Sequence, residues 1–576
     1  MGAQQLTRRD LLLGTLALAG GYPAGCGQAS RREEKAGASG RIAGMSCPEG
    51  HLLLGGFAFP QPSRTERVGV VIVGGGVAGL AAAWRFGRGR FRDFLLLELE
   101  ETVGGNSRTG SSEVTPFPWG SHYLPLPGPE TREVKRLLAD LGVIERFGRE
   151  GRPIYDERHL CHGPQERLFI HGRWQTGIYP WTGATEEDLA EYDTFKQAMM
   201  RLRVWRDGSG RRAFTIPRAA GAPGAFRQMD RLSMTEFLRS NGWTSRRLHW
   251  YVEYGCRDDY GTGAPEISAW AGVHYFAARV PDPEYEDVVL TWPEGNGWLV
   301  DRMAEPVRDR IRVAQLVFNI EETGGRVAVD AFDPRTKAGY RLLAREVILA
   351  CPVFIAARLY RPWRERPPAF LPAFRYAPWL VANLHMSALP PDGLGAPLAW
   401  DNVIYDSESL GYVVATHQTL RTHQGPTVCT YYHSFPNRDP REVQRELLAG
   451  SWESFRDRIL DDLSRPHPGI TRQVQRLDVM LYGHAMIRPE VGFVCGRARE
   501  QAVRALRGPV HLAHSDLSGI SLFEEAYEWG IRAADRVLLR LGCSGPVTKI
   551  PPTLPSPTPK GYPGGGPGWG SPSLGN

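Results

Sequence analysis

The feature that most restricts this chain is the run Val70-Val71-Ile72-Val73-Gly74-Gly75-Gly76-Val77-Ala78-Gly79-Leu80-Ala81-Ala82. A β-branched strand enters a glycine turn and leaves as a helix. Gly74, Gly76 and Gly79 fit G-x-G-x-x-G: the first permits the turn, the second lets backbone approach a pyrophosphate, and the third lets helix pack on strand. The helix start at Val77 and Ala78 offers unpaired N–H groups and a positive dipole end to phosphates. A second strand ends at Glu98, about 20 residues past the last glycine, where a carboxylate bonds ribose hydroxyls and disfavours a 2′-phosphate. These residues predict an adenine dinucleotide of the FAD or NAD type and argue against NADP.

The chain of 576 residues is long for one core and predicts two domains with tails. Its net charge of +6 is spread out, with no long basic block, which argues against nucleic acid. Strand-like runs at Val68 to Val73, Phe94 to Glu98, Glu346 to Ala350 and Val510 to Ala513 alternate with helical patterns such as Val77 to Phe86 and Glu524 to Leu541. Buried strands joined by helices imply an α/β sheet. No two of the eight cysteines form CxxC, so the sequence supports no metal site. Disulfides and buried free thiols both remain open. After about Pro546 the chain is rich in Pro, Gly and Ser and reads as a disordered tail.

Residues Thr7-Arg8-Arg9-Asp10-Leu11-Leu12 precede a short apolar run that reads as a signal peptide, since a spanning helix needs roughly 20 apolar residues. The Arg8-Arg9 pair resembles a twin-arginine signal, or is a chance pair in a general secretory one. The resemblance implies that the twin-arginine machinery exports a folded, cofactor-loaded protein across a bacterial inner membrane. Pro23-Ala24-Gly25-Cys26 is similar to a lipoprotein cleavage site, with Pro23 where that pattern prefers Leu. It implies a lipid on Cys26 and a periplasmic or membrane-surface location.

The stretch Glu98-Leu99-Glu100-Glu101-Thr102-Val103-Gly104-Gly105-Asn106-Ser107-Arg108-Thr109 resembles the flavin amine oxidase and phytoene desaturase superfamily. In that superfamily a Gly-Gly pair and a basic residue follow the ribose-binding acid. Gly104 and Gly105 then let the chain pass close to FAD, and Arg108 pairs with its phosphates or is a solvated loop charge. Asn106 stands where many members carry Arg. A second segment, Val317-Phe318-Asn319-Ile320 with Val347-Ile348-Leu349-Ala350-Cys351-Pro352, looks like the one whose backbone near Val317 meets adenine. A third, His511 to Ala526, looks like the closing motif. There Asp516 would bond ribityl or phosphate oxygens, and a helix start at Leu522 and Phe523 would face the flavin C2 carbonyl. Glu525 departs from the Gly common at its place.

The resemblance implies a Rossmann-type FAD-binding domain of the glutathione-reductase-like (GR2) kind, interleaved with an α+β substrate domain. FAD-binding parts are expected at 67–139, 286–364 and 481–545, and substrate parts at 140–285 and 365–480. Residues 1–26 are the signal, 27–66 a linker with a docked segment, and 546–576 the tail. The expected function is an FAD-dependent oxidoreductase that takes hydride from a small, largely apolar organic substrate. A polyprenoid or carotenoid-type desaturase or isomerase, an amine oxidase and a non-catalytic FAD-binding scaffold remain alternatives. Amine oxidases place a lysine where alignment puts Val381, and an aromatic cage where it puts Leu522 and Tyr482. His122, in Trp119-Gly120-Ser121-His122-Tyr123, and His484 are the candidate catalytic groups, with a structural role open for each. The runs Arg257-Asp258-Asp259-Tyr260 and Trp400-Asp401-Asn402 read as solvated loops before they read as substrate grips. The sequence leaves the oligomeric state open.

Overall fold

The computed structural model describes residues 37–43, 47–280, 282, 284–285, 288–419 and 425–543. The signal, Cys26 and the tail expected at 546–576 lie outside the described residues.

Strand Thr65–Val73 sits at the centre of the first sheet because its residues suit burial on both faces. Val70 and Ile72 pack into one core, and Val71 and Val73 into another on the opposite side. Phe94–Leu97 and then Ile311–Arg312 add in parallel on one edge. Ala338–Leu349 adds in parallel on the other and pairs in parallel, at its end, with Val510–Leu512. Arg326–Asp333 and Leu316–Thr323 continue as an antiparallel meander from the first half of Ala338–Leu349. Helices Val77–Arg88 and Phe523–Arg540 cover one face. They meet closely: a Cβ on Gly530 would lie 2.2 Å from the carbonyl oxygen of Ala78.

The second sheet has the order Ser39–Ala43, Val474–Ile487, Tyr376–Met386, Thr427–His433, Ser409–Val414, Asp401–Ile404, Glu166–Ile170, Arg173–Thr176. Most pairs are antiparallel. The docked N-terminal segment Ser39–Ala43 is parallel to Val474–Ile487. That long strand runs unbroken through the boundary expected between residues 480 and 481. Beside the sheet lies a helical cluster of Glu186–Val204, Arg246–Tyr260 and Ala269–Ala277. Ser245 caps the start of Arg246–Tyr260 by accepting from Leu248 N, and Gly261, at φ +65°, ends it. Asp258 and Asp259 therefore belong to the last turn of a helix. They are not in a solvated loop, and they sit at the end where the helix dipole disfavours negative charge.

The architecture is α/β, a Rossmann-type sheet interleaved with an α+β second domain. The cysteines among the described residues, Cys47, Cys161, Cys256, Cys351, Cys429, Cys495 and Cys543, are all free thiols. Because the Gly530 contact is backbone against backbone, Gly530→Ala should overpack the two helices at a cost of about 1–3 kcal/mol. Calorimetry should show a Tm several degrees lower. Gly483→Ala, whose added Cβ meets nothing nearer than Gln444 Cγ at 3.8 Å, should leave Tm unchanged.

Candidate active site

A cavity of about 1540 Å³ runs from the first sheet to the second. Gly74, Gly76, Val77, Ala78, Glu98, Gly104, Gly105, Asn106, Arg108, Val317, Asp516, Leu522 and Phe523 all line it, as do His122 and His484. Gly79 does not. It packs under the turn, where an added Cβ would lie 1.9 Å from the Gly74 carbonyl oxygen.

One arm of the cavity is built around the glycine turn. Gly76 caps helix Val77–Arg88 without a side-chain bond, so the first-turn N–H groups remain available to an anion. Nothing lies within 4 Å of a Cβ built on Gly76. The second glycine loop is tied to the first by Gly104 N donating to Gly75 O at 2.8 Å. Glu98 accepts from Gly75 N at 2.6 Å and from Glu100 N at 2.9 Å. Burial raises its pKa, and these N–H groups only partly oppose the rise. Arg108 is buried and is not a solvated loop charge. Its Nη1 donates to Glu100 at 3.0 Å, and its Nε, also buried, has no partner.

Asp516 stands at the far end of this arm. Its Oδ2 accepts from Val353 N at 2.8 Å and Tyr376 OH at 2.6 Å, while Oδ1 lies 3.0 Å from His514 Nδ1. Burial pushes its pKa up. His514, Tyr376 and Val353 together outweigh burial, and the carboxyl is held below its ordinary value. The departure at Glu525 has a structural reason: its wholly buried carboxylate accepts from Arg218 N at 2.6 Å and from Ser518 Oγ at 2.5 Å. It thereby ties the Asp516 loop to the second domain. The uncapped helix start at the glycine turn, the acid Glu98 beside it and the unpartnered Arg108 Nε fit an adenine dinucleotide that carries a flavin.

The other arm is walled by aromatic rings, among them Tyr251, Tyr254, Tyr275, Phe276, Trp379 and Trp400. Tyr260, Trp270 and His274, near them in sequence, are core instead. Tyr405 and Tyr412 do not line the cavity. Val381 lines it where alignment puts the amine oxidase lysine, and no described lining residue is a lysine. Tyr482 OH donates to Trp119 O at 2.8 Å, and Tyr432 OH to Gly120 O at 2.9 Å. These bonds hold the Trp119–Tyr123 segment between the two arms. Ser121 N donates to Asn106 O at 2.9 Å, which fixes that segment to the second glycine loop. His122 rests against Tyr432, ring centroids 4.6 Å apart, and burial lowers its pKa to about 4. His484 faces the first arm, stacked on Phe354 at 4.6 Å, and burial lowers its pKa too.

Carboxylates enter this arm, three of which, Asp258, Asp259 and Asp401, the sequence placed in loops. Asp258, Asp259, Asp401, Glu166 and Glu524 all line it. Asp259 is paired with Arg279 through both oxygens, at 2.8 and 2.9 Å. Asp258 accepts instead from Tyr123 OH at 3.0 Å, and Asp401 from Tyr254 OH at 3.3 Å. Burial first, and then the neighbouring charge of Asp259, pushes Asp258 up to about 7. Burial, then Glu166 and Asp258, push Asp401 well above its ordinary value. Burial raises Glu524 to about 7. The arm therefore combines aromatic walls with a set of acids. The only sequence signal was the acid run directly after an aromatic one, at Tyr251 to Tyr260.

Residues 72–141 match the family described as an NAD(P)-binding Rossmann-like domain. A Mycobacterium tuberculosis protein bearing the name of a flavin-containing monoamine oxidase is 24% identical over 294 residues, 48% of this chain and 56% of that protein. The flavin-containing amine oxidase B of Sus scrofa is 25% identical over 308 residues, 51% of this chain and 52% of that protein. The chain thus spans about half the length of the curated relatives it matches. Among solved structures, putrescine oxidase bound to putrescine aligns with a TM-score of 0.59 at 18% identity, over 83% of this chain and 100% of that one. The likeness is one of fold.

Asp516 offers a direct test of the cofactor arm. Losing a charged acceptor costs about 1.5–3 kcal/mol. Asp516→Ala should therefore raise the Kd for FAD by roughly 10- to 150-fold, read from quenching of flavin fluorescence.

Proposed function

We propose that this chain is an FAD-dependent oxidoreductase whose substrate carries a cationic amine. The observation that carries the reading is the pair Asp258 and Asp401, half-buried in the cavity wall and held by tyrosine hydroxyls. Carboxylates partly withdrawn from water beside one another are costly, and an ammonium group between them offsets that cost. The faces of Tyr254, Trp400 and Tyr432 add cation–π attraction. The names of the relatives agree with this reading.

Gly76, Glu98, Gly104, Gly105, Arg108 and Asp516 would hold the dinucleotide, together with the helix start at Phe523. FAD, when bound, supplies the two-electron acceptor for hydride from the carbon next to nitrogen. Asp401, oriented by Tyr254, anchors the ammonium. The aromatic walls orient the substrate and exclude water. His122 stays neutral down to about pH 4 and so leaves the negative field of the acids intact. The residues Arg8-Arg9 and Cys26 extend the proposal to location: the loaded, folded protein is exported and held at a membrane surface by lipid.

Anaerobic reduction of the FAD-loaded protein tests the reading. Primary or secondary amines should bleach the flavin absorbance, while matched alcohols, fatty acids and polyenes should not. Bleaching by an unsaturated lipid alone would favour the desaturase or isomerase alternative, and no bleaching at all would favour the scaffold. Asp401→Asn should weaken the apparent amine Kd at least roughly 30-fold, equivalent to about 2 kcal/mol.

A further inference from the structure

We infer that Asp258 is the group that takes a proton from the substrate nitrogen, with Tyr123 holding its carboxylate in place. The inference rests on the amine reading of the same site. It concerns a step that reading leaves open, because an ammonium nitrogen has no electron pair to assist loss of hydride from the neighbouring carbon. In the step, one N–H bond of the ammonium breaks and its electron pair stays on nitrogen. The proton forms an O–H bond on Asp258, and the amine becomes neutral.

Geometry selects Asp258 from the acids of this arm. Its carboxyl lines the cavity at the end of helix Arg246–Tyr260, and Oδ2 accepts from Tyr123 OH at 3.0 Å. Tyr123 belongs to the segment whose Ser121 N is fixed to Asn106 O, so the carboxyl is held next to the cofactor arm. Asp259 has both oxygens on Arg279 and is not available for a proton. Asp401 is held by Tyr254 and not by the segment tied to the cofactor arm, and its place is that of the cation anchor. His122, at about 4, is too weak a base to hold a proton taken from an ammonium.

Asp258 is enclosed by protein yet touches cavity space, so it is desolvated without being packed away. The groups that face it are of both kinds. On its own helix they are Tyr254, Arg257 and Asp259. From other elements come Tyr123, Tyr275, Arg279, Asp401 and Tyr432. Burial and Asp259 raise its pKa, while Arg279, Tyr123 and Arg257 lower it. The balance at about 7 leaves Asp258 ionised, and able to accept, on the alkaline side of neutrality.

The test uses FAD-loaded wild type, Asp258→Asn and Tyr123→Phe, with benzylamine as the probe in anaerobic stopped-flow reduction across pH. Unchanged FAD content and circular dichroism establish that each variant is folded. In wild type the reduction rate should rise as pH passes through about 7. Asp258→Asn should lose that step and fall more than tenfold at alkaline pH. Tyr123→Phe removes a bond that favours the ionised form, so its step should move to higher pH. An infrared band of a protonated carboxyl should vanish as wild type passes through about pH 7 and be missing in Asp258→Asn, with no substrate present. A pH step that persists in Asp258→Asn, or a carboxyl band that does so, overturns the inference while leaving amine oxidation intact. Wild type that benzylamine, putrescine and cyclohexylamine all fail to reduce overturns the amine reading, and this inference with it.

Discussion

The fold depends on backbone approaching backbone where side chains would forbid it. Gly79 brings helix Val77–Arg88 down onto the turn at Gly74, and Gly530 brings the last long helix down onto Ala78. The two contacts fall in the first turn of one helix, at Ala78 and Gly79, and bring together segments separated by most of the chain. Gly74 itself, at φ +107°, would drive a Cβ to 2.4 Å from the carbonyl oxygen of Ala350. Three segments distant in sequence are thus locked around a single strand-to-helix crossing. The N–H groups of that crossing point into the cavity because no side chain stands in the way.

That close packing explains why the cofactor arm was legible in the sequence. Its parts are local: a glycine turn, an acid one strand later, a Gly-Gly loop tied to the first by one hydrogen bond. Each has a fixed spacing, and each fell on the cavity wall. Asp516 and the helix start at Phe523 are distant in sequence, yet they too come from a strand, turn and helix with a recognisable pattern. Arg108 was placed but its partner was not. It lines the cavity and pairs with Glu100, an acid two residues past Glu98.

The substrate arm was not legible, for a physical reason. Its residues come from the end of one helix, the start of a strand in the second sheet and the segment bridging the domains. No periodicity connects Asp258 with Asp401, which lie close only because a cap at Ser245 and a left-handed Gly261 fix where the helix ends. Polar residues after an aromatic run look like a loop in one dimension. In three dimensions, those side chains turn inward toward a cavity that the aromatics enclose. The aromatic clusters divided in the same way: Tyr254 and Trp400 became wall, while Tyr260 and Trp270 became core.

The acids are costly to the fold, which makes their arrangement informative. A protein that needed only a stable second domain would not gather Asp258, Asp401, Glu166 and Glu524 along one cavity wall. Their mutual repulsion opposes folding, and the dipole of the helix that carries Asp258 adds to it. What offsets the cost is partly built in, through Tyr123, Tyr254 and the Asp259–Arg279 pair. The rest is left for whatever enters. An entering cation gains from every one of these groups, while an entering apolar molecule gains only from the rings. The same desolvation that burdens the empty arm therefore sets its preference, and it places the proton acceptor and the cation anchor on separate elements. Selectivity for charge and command of the proton follow from one unfavourable feature of the fold.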